Sequence, residues 1–410
     1  MMIGLSRDVR LAIRNLRRNT NRSAVAVLTV AGGIVAFLLA SGFIAWILRD
    51  GREATIHSQL GHAQVVRPGY FERGIVAPYS FLLPADSSEQ EVLTSVPGVI
   101  SVTPRLAFSG LISHGETTMA FAGEGVDPVH ERPISTRLTI LEGRDLGTAH
   151  ERKVLLGEGL AKSLGAKTGN TVVLLTTAAN GGASALEVTV AGIFATITKE
   201  YDDYAVRLPI TLARKLMRVS GATSWVVLLR ETENTAVFVD AARSRLPASA
   251  FDVVSWRDLA DFFNKTEALF SRQVNVVKVI IGLIIVLTIS NTLTMSVLER
   301  TTEIGTSLAI GVRSGLVMRL FVLEGIIIGV LGGALGVMLG YFAALIISMI
   351  GIPMPAAPGM AHGYVALIAI TPALAVDAFI LAVMTTSLAS AVPAWKAGRM
   401  NIVDALRCNQ

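Results

Sequence analysis

Four stretches of this chain are too long and too apolar to stay in water, and they set the frame into which everything else must fit. Residues 23–48 carry no charge over 26 positions. As a helix at ~1.5 Å per residue that run measures about 39 Å, against a hydrocarbon core of ~30 Å. Residues 274–298, 316–350 and 372–394 form three further runs. The first run is longer than the apolar region of a cleaved signal peptide, so all four are read as transmembrane helices. Composition agrees, with 52% hydrophobic and 16% charged residues and a mean hydropathy of +0.57. Such a chain falls outside the range of ordinary soluble proteins.

Lysine and arginine near the spans orient them. Arg7, Arg10, Arg14, Arg17, Arg18 and Arg22 precede the first span; Arg300, Arg313 and Arg319 follow the second; Lys396, Arg399 and Arg407 follow the fourth. The loop 351–371 has neither residue type. Both termini and the loop 299–315 are therefore expected in the cytoplasm, with residues 49–273 outside. The net charge of +5 and pI near 9.5 are explained by this asymmetry without invoking nucleic acid. Cys408 is the one cysteine, so the external segment must hold together without an internal disulfide.

The expected fold class is an α-helical membrane protein with four transmembrane helices plus an α+β external domain inserted between the first and second. In the segment 49–273, strand, helix and strand patterns recur at each end: 63–66, 88–96 and 99–104, then 225–230, 234–245 and 251–256. They predict ferredoxin-like halves over about 50–110 and 205–256. Between them, about 111–204 alternates short strands with Gly, Asn and Asp turns, predicting a β-rich insertion. Ser255 and Asp258 form a capping-box pattern opening a stalk helix over 255–273. Continued through the second span it would reach about 66 Å, with a break near Ser271 as the alternative.

The N-terminal 1–22 places Leu5, Val9, Ala12, Ile13 and Leu16 at helical spacing among the arginines, an amphipathic helix for the inner leaflet. It serves either as a topology signal or also as a partner contact. The third span repeats glycine every four residues at Gly332, Gly336 and Gly340, giving a smooth face for another helix. Packing within the subunit and a dimer seam both fit that face. Glu324 and Asp377 are ionisable groups in or at the edge of spans, where charge is costly, and hydrogen bonding within the bundle is the simpler role for each.

Intrinsic chemistry finds little support. Six scattered histidines and one cysteine make no HExxH or Cys/His cluster, so no metal site is expected. The stretch GLAKSLGAKTGN fails as a phosphate loop, because Ala161 and Ala166 stand where both glycines are needed before Lys167. No GxSxG elbow occurs. The chain is read as no enzyme, with no catalytic residue and no bound cofactor.

The segment SVLERTTEIGTSLAIG, 296–311, resembles the FtsX/MacB-like (LolC/LolE-related) permease family of ABC transporters, whose members share ERxxEIGxxxAxG. Glu299, Arg300, Glu303, Ile304, Gly305, Ala309 and Gly311 fit; Ser307 and Leu308 depart from the family's usual Leu and Arg. PAWKAGRMNIVDALR, 393–407, is similar to the family ending PAxxAxxxxPxxALR, with Ile402 in place of the usual proline or its neighbour. VLLGEGLAKSLGAKTGNTVVL, 154–174, and LEGRDL, 141–146, look like the MacB-type external core, whereas FSGLISHGETTMAFAGEGVDP, 108–128, with its GVDP turn, is similar to lipoprotein-releasing LolC and LolE. The resemblance implies that the seven matched residues couple to a cytoplasmic ATPase, which holds ATP and Mg. It implies mechanotransmission, by which a dimer with a second permease copy or paralogue extracts or exports lipoproteins, lipids or other amphiphiles. A further periplasmic or outer-membrane partner would fit the same scheme. The alternative within the family is an FtsX-like regulator of cell-envelope machinery, which generally carries a smaller external domain; a membrane-anchored scaffold would need no coupling loop.

Overall fold

The computed structural model describes residues 2–74, 77–85, 87–356, 360 and 362–400, with side chains from residue 8 onward. The chain begins with helices α1 (Met2–Arg18) and α2 (Thr20–Thr55), the latter prolonged by a π-helical turn, Ile56–Leu60. There follow β1 (Ala63–Val66), α3 (Ser88–Thr94), β2 (Val99–His114), β3 (Thr117–Val126), β4 (Thr139–Gly143), β5 (Lys153–Gly157) and α4 (Glu158–Leu164). Next come β6 (Thr171–Thr177), β7 (Ala183–Ala195), β8 (Ala205–Pro209), α5 (Ile210–Met217), β9 (Ser224–Leu229), α6 (Thr235–Arg245) and β10 (Asp252–Ser255). The chain then returns to long helices: α7 (Asp261–Glu299), α8 (Thr301–Ala309), α9 (Ser314–Ile350) and α10 (Pro372–Gly398). Two units result: one of Met1–Leu48, Glu267–Pro353 and Val365–Gln410, the other of Arg49–Thr266 and Met354–Tyr364.

Among the described residues four helices are long and apolar enough to cross a membrane: Thr20–Leu60, α7, α9 and α10. Ile34, Phe37 and Leu38 of α2, Ile285 and Ile289 of α7, Ile328 of α9 and the alanines 378, 382 and 389 of α10 close around one another. The glycines of α9 form two stripes. A Cβ on Gly332, Gly336 or Gly340 would come within 2.7–2.8 Å of Val30, Ile34 and Leu38 of α2. Gly325 and Gly329 instead admit Ser390 and Thr386 of α10. Consecutive residues lie about 100° apart on a helix, so stripes offset by one position serve two neighbours. The space that a dimer seam would need along these glycines is filled by the same chain.

The second unit has two layers of organisation. Strands β10-β1-β9-β2 form an antiparallel sheet whose chain order, 4-1-3-2, is ferredoxin-like. Leu93 of α3 and Phe238 and Ala242 of α6 cover one face over Val65, Val102, Trp225, Val227 and Val253. Strand β2 then changes partner: Val99 to Arg105 pair with β9, and Leu106 to His114 with β3. The β-rich part continues through β3, β8, β5, β7 and β4, with β6 between β2 and β7.

Three boundaries differ from the sequence expectation. The insertion starts at Leu106 rather than 111, because one 16-residue strand serves both parts. It also keeps β8 and α5: β8 pairs in parallel with β3, and Leu212, Ala213 and Leu216 enter the core of the β-rich part. The second ferredoxin-like half therefore begins near Ser224, not at 205. Local periodicity does not reveal a parallel pairing between strands some 80 residues apart in sequence. The stalk breaks at Ala260, and α7 passes through Ser271 intact. Ser255 does form the capping box with Asp258, but Trp256, Ala260 and Phe263 turn in to pack with Ile56. The Asn264 side chain donates to the Arg257 carbonyl at the break, at 2.7 Å.

Candidate functional site

The loop between the second and third spans folds into the short helix α8. Ile304 is buried among Val297, Val317, Phe321, Ala394 and Ala397, and Gly305 is buried beside it. Arg300 precedes the helix and turns its guanidinium inward, donating to Glu324 Oε1 at 3.2 Å and to the Asn15 carbonyl at 3.0 Å. Asn15 Nδ2 donates to the same Glu324 oxygen at 2.8 Å. Glu324 is thus a buried strut that ties together α1, the start of α8 and α9. Outside it, Arg18 donates to both Glu303 oxygens at 2.8 Å, and Arg22 pairs with Glu299.

The matched residues therefore divide into two groups. Arg300, Ile304 and Gly305 are internal, and Glu299 and Glu303 are exposed but already held by arginines of α1 and α2. Ala309 and Gly311 are exposed, and Gly311 takes a φ of +96° that favours glycine as the chain leaves α8. Between them Ile310 is 81% exposed. Ile304 and Leu308, four apart, share the inward face; Ile310, six positions from Ile304, lies about 240° around the helix. That phase was present in the sequence and sets Ile310 apart as an apolar group facing outward at the end of the helix.

Helix α1 is engaged with the bundle rather than free to present its whole apolar face to lipid. Ala12 is fully buried, Leu16 packs on the helix core, and Asp8 pairs with Arg319 at 3.4 Å. Ile13, expected on the same face, is 44% exposed. Deeper in the unit, Asp377 receives two hydrogen bonds from Lys278, one at 2.7 Å to Oδ2. Sequence reading missed Lys278, although opposite charges each stand about a turn inside their apolar runs. The tail beyond 400, including Ile402, Arg407 and Cys408, lies outside the described residues.

The inserted domain holds a second charged cluster where β2 changes partner. Arg207 of β8 lies in register with Glu124 of β3 and donates Nε to Glu124 Oε2 at 3.0 Å, Nη1 to Ser135 Oγ at 3.0 Å and Nη2 to the Ser58 carbonyl at 2.7 Å. Arg105 pairs with Glu131 and donates to the Gln59 carbonyl. Two buried guanidinium groups thus grip the π-helical turn that ends α2. Burial pushes the Glu124 carboxyl up, but Arg207 and Arg105 outweigh it and hold its pKa below the usual range. Burial raises the neighbouring Tyr201 phenol well above its ordinary value, so it stays neutral. Among the described residues no group of three or more His, Cys, Asp or Glu side chains could hold a metal.

Two family models match the chain. The MacB-like periplasmic core domain covers residues 23–245, and the FtsX-like permease C-terminal domain covers residues 275–402. Among solved structures, the extracellular domain of the ABC-type transporter YknZ from Gram-positive bacteria is 14% identical, covering 47% of this chain and 99% of its own, with a TM-score of 0.36. The periplasmic region of MacB from Actinobacillus actinomycetemcomitans is also 14% identical, covering 50% and 93%, with a TM-score of 0.36.

Proposed function

The chain belongs to the ABC-type permease family that joins a MacB-like periplasmic core domain to an FtsX-like C-terminal permease domain, and on that premise we propose that it is the membrane subunit of a transporter driven by a separate ATPase. ATP and Mg stay on that partner. The arginine-rich flanks of the first span favour both termini on the cytoplasmic side of the inner membrane, and the loop at α8 with them. The carrying observation is α8 itself, a nine-residue helix whose Ile304 is locked in the bundle while Ile310 is offered to solvent at its end.

Those contacts support a route of mechanotransmission. Closure of the ATPase pushes on α8; Arg300, hydrogen-bonded to Glu324 and Asn15, passes the displacement to α9 and α1. Helix α7, continuous over 39 residues, carries it along the second span. The external domain responds, and lipoproteins, lipids or other amphiphiles are extracted or exported on the periplasmic side. Spans with so few charges favour this over an aqueous channel. A second permease, identical or paralogous, completes the assembly.

The test is affinity purification of the tagged full chain in mild detergent, with mass spectrometry of what it retains. A stoichiometric P-loop ATPase is expected with the native chain. Ile310→Asp should reduce that yield about tenfold or more, by placing a charge in an apolar contact, and leave the thermal unfolding of the permease unchanged. A native chain recovered without any ATPase overturns the reading.

A further inference from the structure

Helices α7 and α10 line a groove of about 530 Å³. That is within the ~300–1,000 Å³ range of ligand sites. Its floor is the close approach of the two helices at Gly282, where an added Cβ would lie 3.3 Å from Thr385 Cγ2. Its walls are apolar and open to the side: Leu283 is 57%, Met384 58% and Leu388 63% exposed. On α7 the lining runs from Lys278 to Val286, and on α10 from Asp377 to Leu388. At ~1.5 Å per residue these lengths are about 12 and 16 Å, roughly half of a ~30 Å hydrocarbon core, or one leaflet.

One end of the groove is charged. Lys278 Nζ donates to both Asp377 oxygens, and the two side chains are 32% and 44% exposed. An ammonium has three donors and a carboxylate about four acceptor sites, so this pair has capacity left on both members. A lone pair of charges facing hydrocarbon is costly, and the cost falls when each charge gains a further partner of opposite sign. A zwitterionic head group supplies both at once, and its attached chain supplies the apolar body. A helix offering only apolar side chains would bury the pair without completing either member.

We propose that this groove binds a phospholipid bearing a phosphate and a primary ammonium, with the phosphate on Lys278, the ammonium on Asp377, and one acyl chain along Gly282 and Thr385. The inference rests on the permease reading only for the bilayer around α7 and α10. Its test needs no ATPase, so its failure leaves ATPase coupling standing.

The full chain, purified in detergent, is titrated with dioleoyl phosphatidylethanolamine or dioleoyl phosphatidylglycerol and analysed by native mass spectrometry. One phosphatidylethanolamine per chain should be retained about tenfold more tightly than phosphatidylglycerol, the worth of one charge-assisted hydrogen bond. Asp377→Asn should reverse that preference by freeing Lys278 for the anionic lipid. Met384→Trp, at an exposed wall, should abolish retention without changing thermal unfolding. Equal retention of the two lipids, or full retention by Met384→Trp, overturns the proposal. So does efficient disulfide cross-linking between chains in liposomes through Leu283→Cys in a Cys408→Ser background, which would place a second copy on the groove.

Discussion

Each unit buries an arginine against a glutamate, and the two pairs are built differently. In the inserted domain all three Arg207 nitrogens are hydrogen-bonded, and its register opposite Glu124 is set by a parallel strand pair. In the helical unit Arg300 is held by Glu324 and the Asn15 carbonyl, but its Nε finds no partner among the described residues. Its three contributors lie on α1, α9 and the turn before α8, none of them joined by a strand ladder. In the first cluster the Arg207–Glu124 pair is fixed by the strand ladder, so separating the two charges requires the sheet to open. The second is a junction between separate helices and can rearrange while each helix persists. Stability should therefore be concentrated in the domain cluster and coupling in the helical one.

The largest expected effect comes from Arg207→Met. Removing one member of a buried pair takes away the hydrogen-bonded partner of Glu124 and leaves it only the more distant charge of Arg105, a cost of about 3 kcal/mol. Thermal unfolding of the full chain, followed through the buried Trp225, should show that loss, and adding Glu124→Gln should recover most of it. If the single variant unfolds like the native chain, the domain cluster is no more rigid than the helical one and the contrast fails.

His62 gives a smaller effect in the same domain. Its Nδ1 accepts from the Leu229 amide at 3.1 Å, and Nε2 lies 3.1 Å from Thr232 Oγ1, whose hydroxyl contacts Glu53. Burial, reinforced by the neighbouring His57, lowers its pKa to about 4, and protonating Nδ1 would cost the amide hydrogen bond. The unfolded chain takes up its proton near pH 6.5, so this contribution is complete above that pH. It is lost as the pH falls from 6.5 to about 4 and is constant below. We expect about 2–3 kcal/mol over that window. Comparing urea midpoints of the native chain and His62→Gln at pH 7.5 and 4.5 checks it; parallel losses in both would remove His62 from the account.

What could be read from the sequence follows the range of the interactions. The four spans, the inserted α+β domain and the family resemblance rest on local patterns, and the fold class appears in the structure as expected from them. Partners distant in sequence were hidden. Nothing in residues 1–22 announces that Asn15 meets Glu324, and only the like placement of opposite charges within two apolar runs hints that Asp377 meets Lys278, 99 positions earlier. The break at Ala260 was hidden for a similar reason: a capping box signals where a helix starts but not that Trp256 and Phe263 will fold inward on Ile56. Gly332, Gly336 and Gly340 declared a helix-packing face without declaring its occupant, which proved to be α2.

The smallest change in stability, and the sharpest test of the comparison, is Glu324→Gln. The amide keeps the shape of the side chain and an oxygen for Arg300 and Asn15, so both hydrogen bonds persist and only the counter-charge of Arg300 is lost, about 1–2 kcal/mol. In a rigid cluster such a change would be absorbed and the ATPase cycle would continue. In a junction of three independent helices the weakened contact lets α8 move without drawing α9 and α1 with it. Permease-dependent stimulation of the ATPase in liposomes should then fall about tenfold, the equivalent of ~1.4 kcal/mol, while co-purification of the ATPase is unchanged, since Ile310 and the exposed end of α8 are untouched. Loss of ATPase binding together with stimulation would place Glu324 in the docking surface itself. Unchanged stimulation would make the helical cluster as inert to charge removal as a packed core, and the distinction between the two regions would collapse.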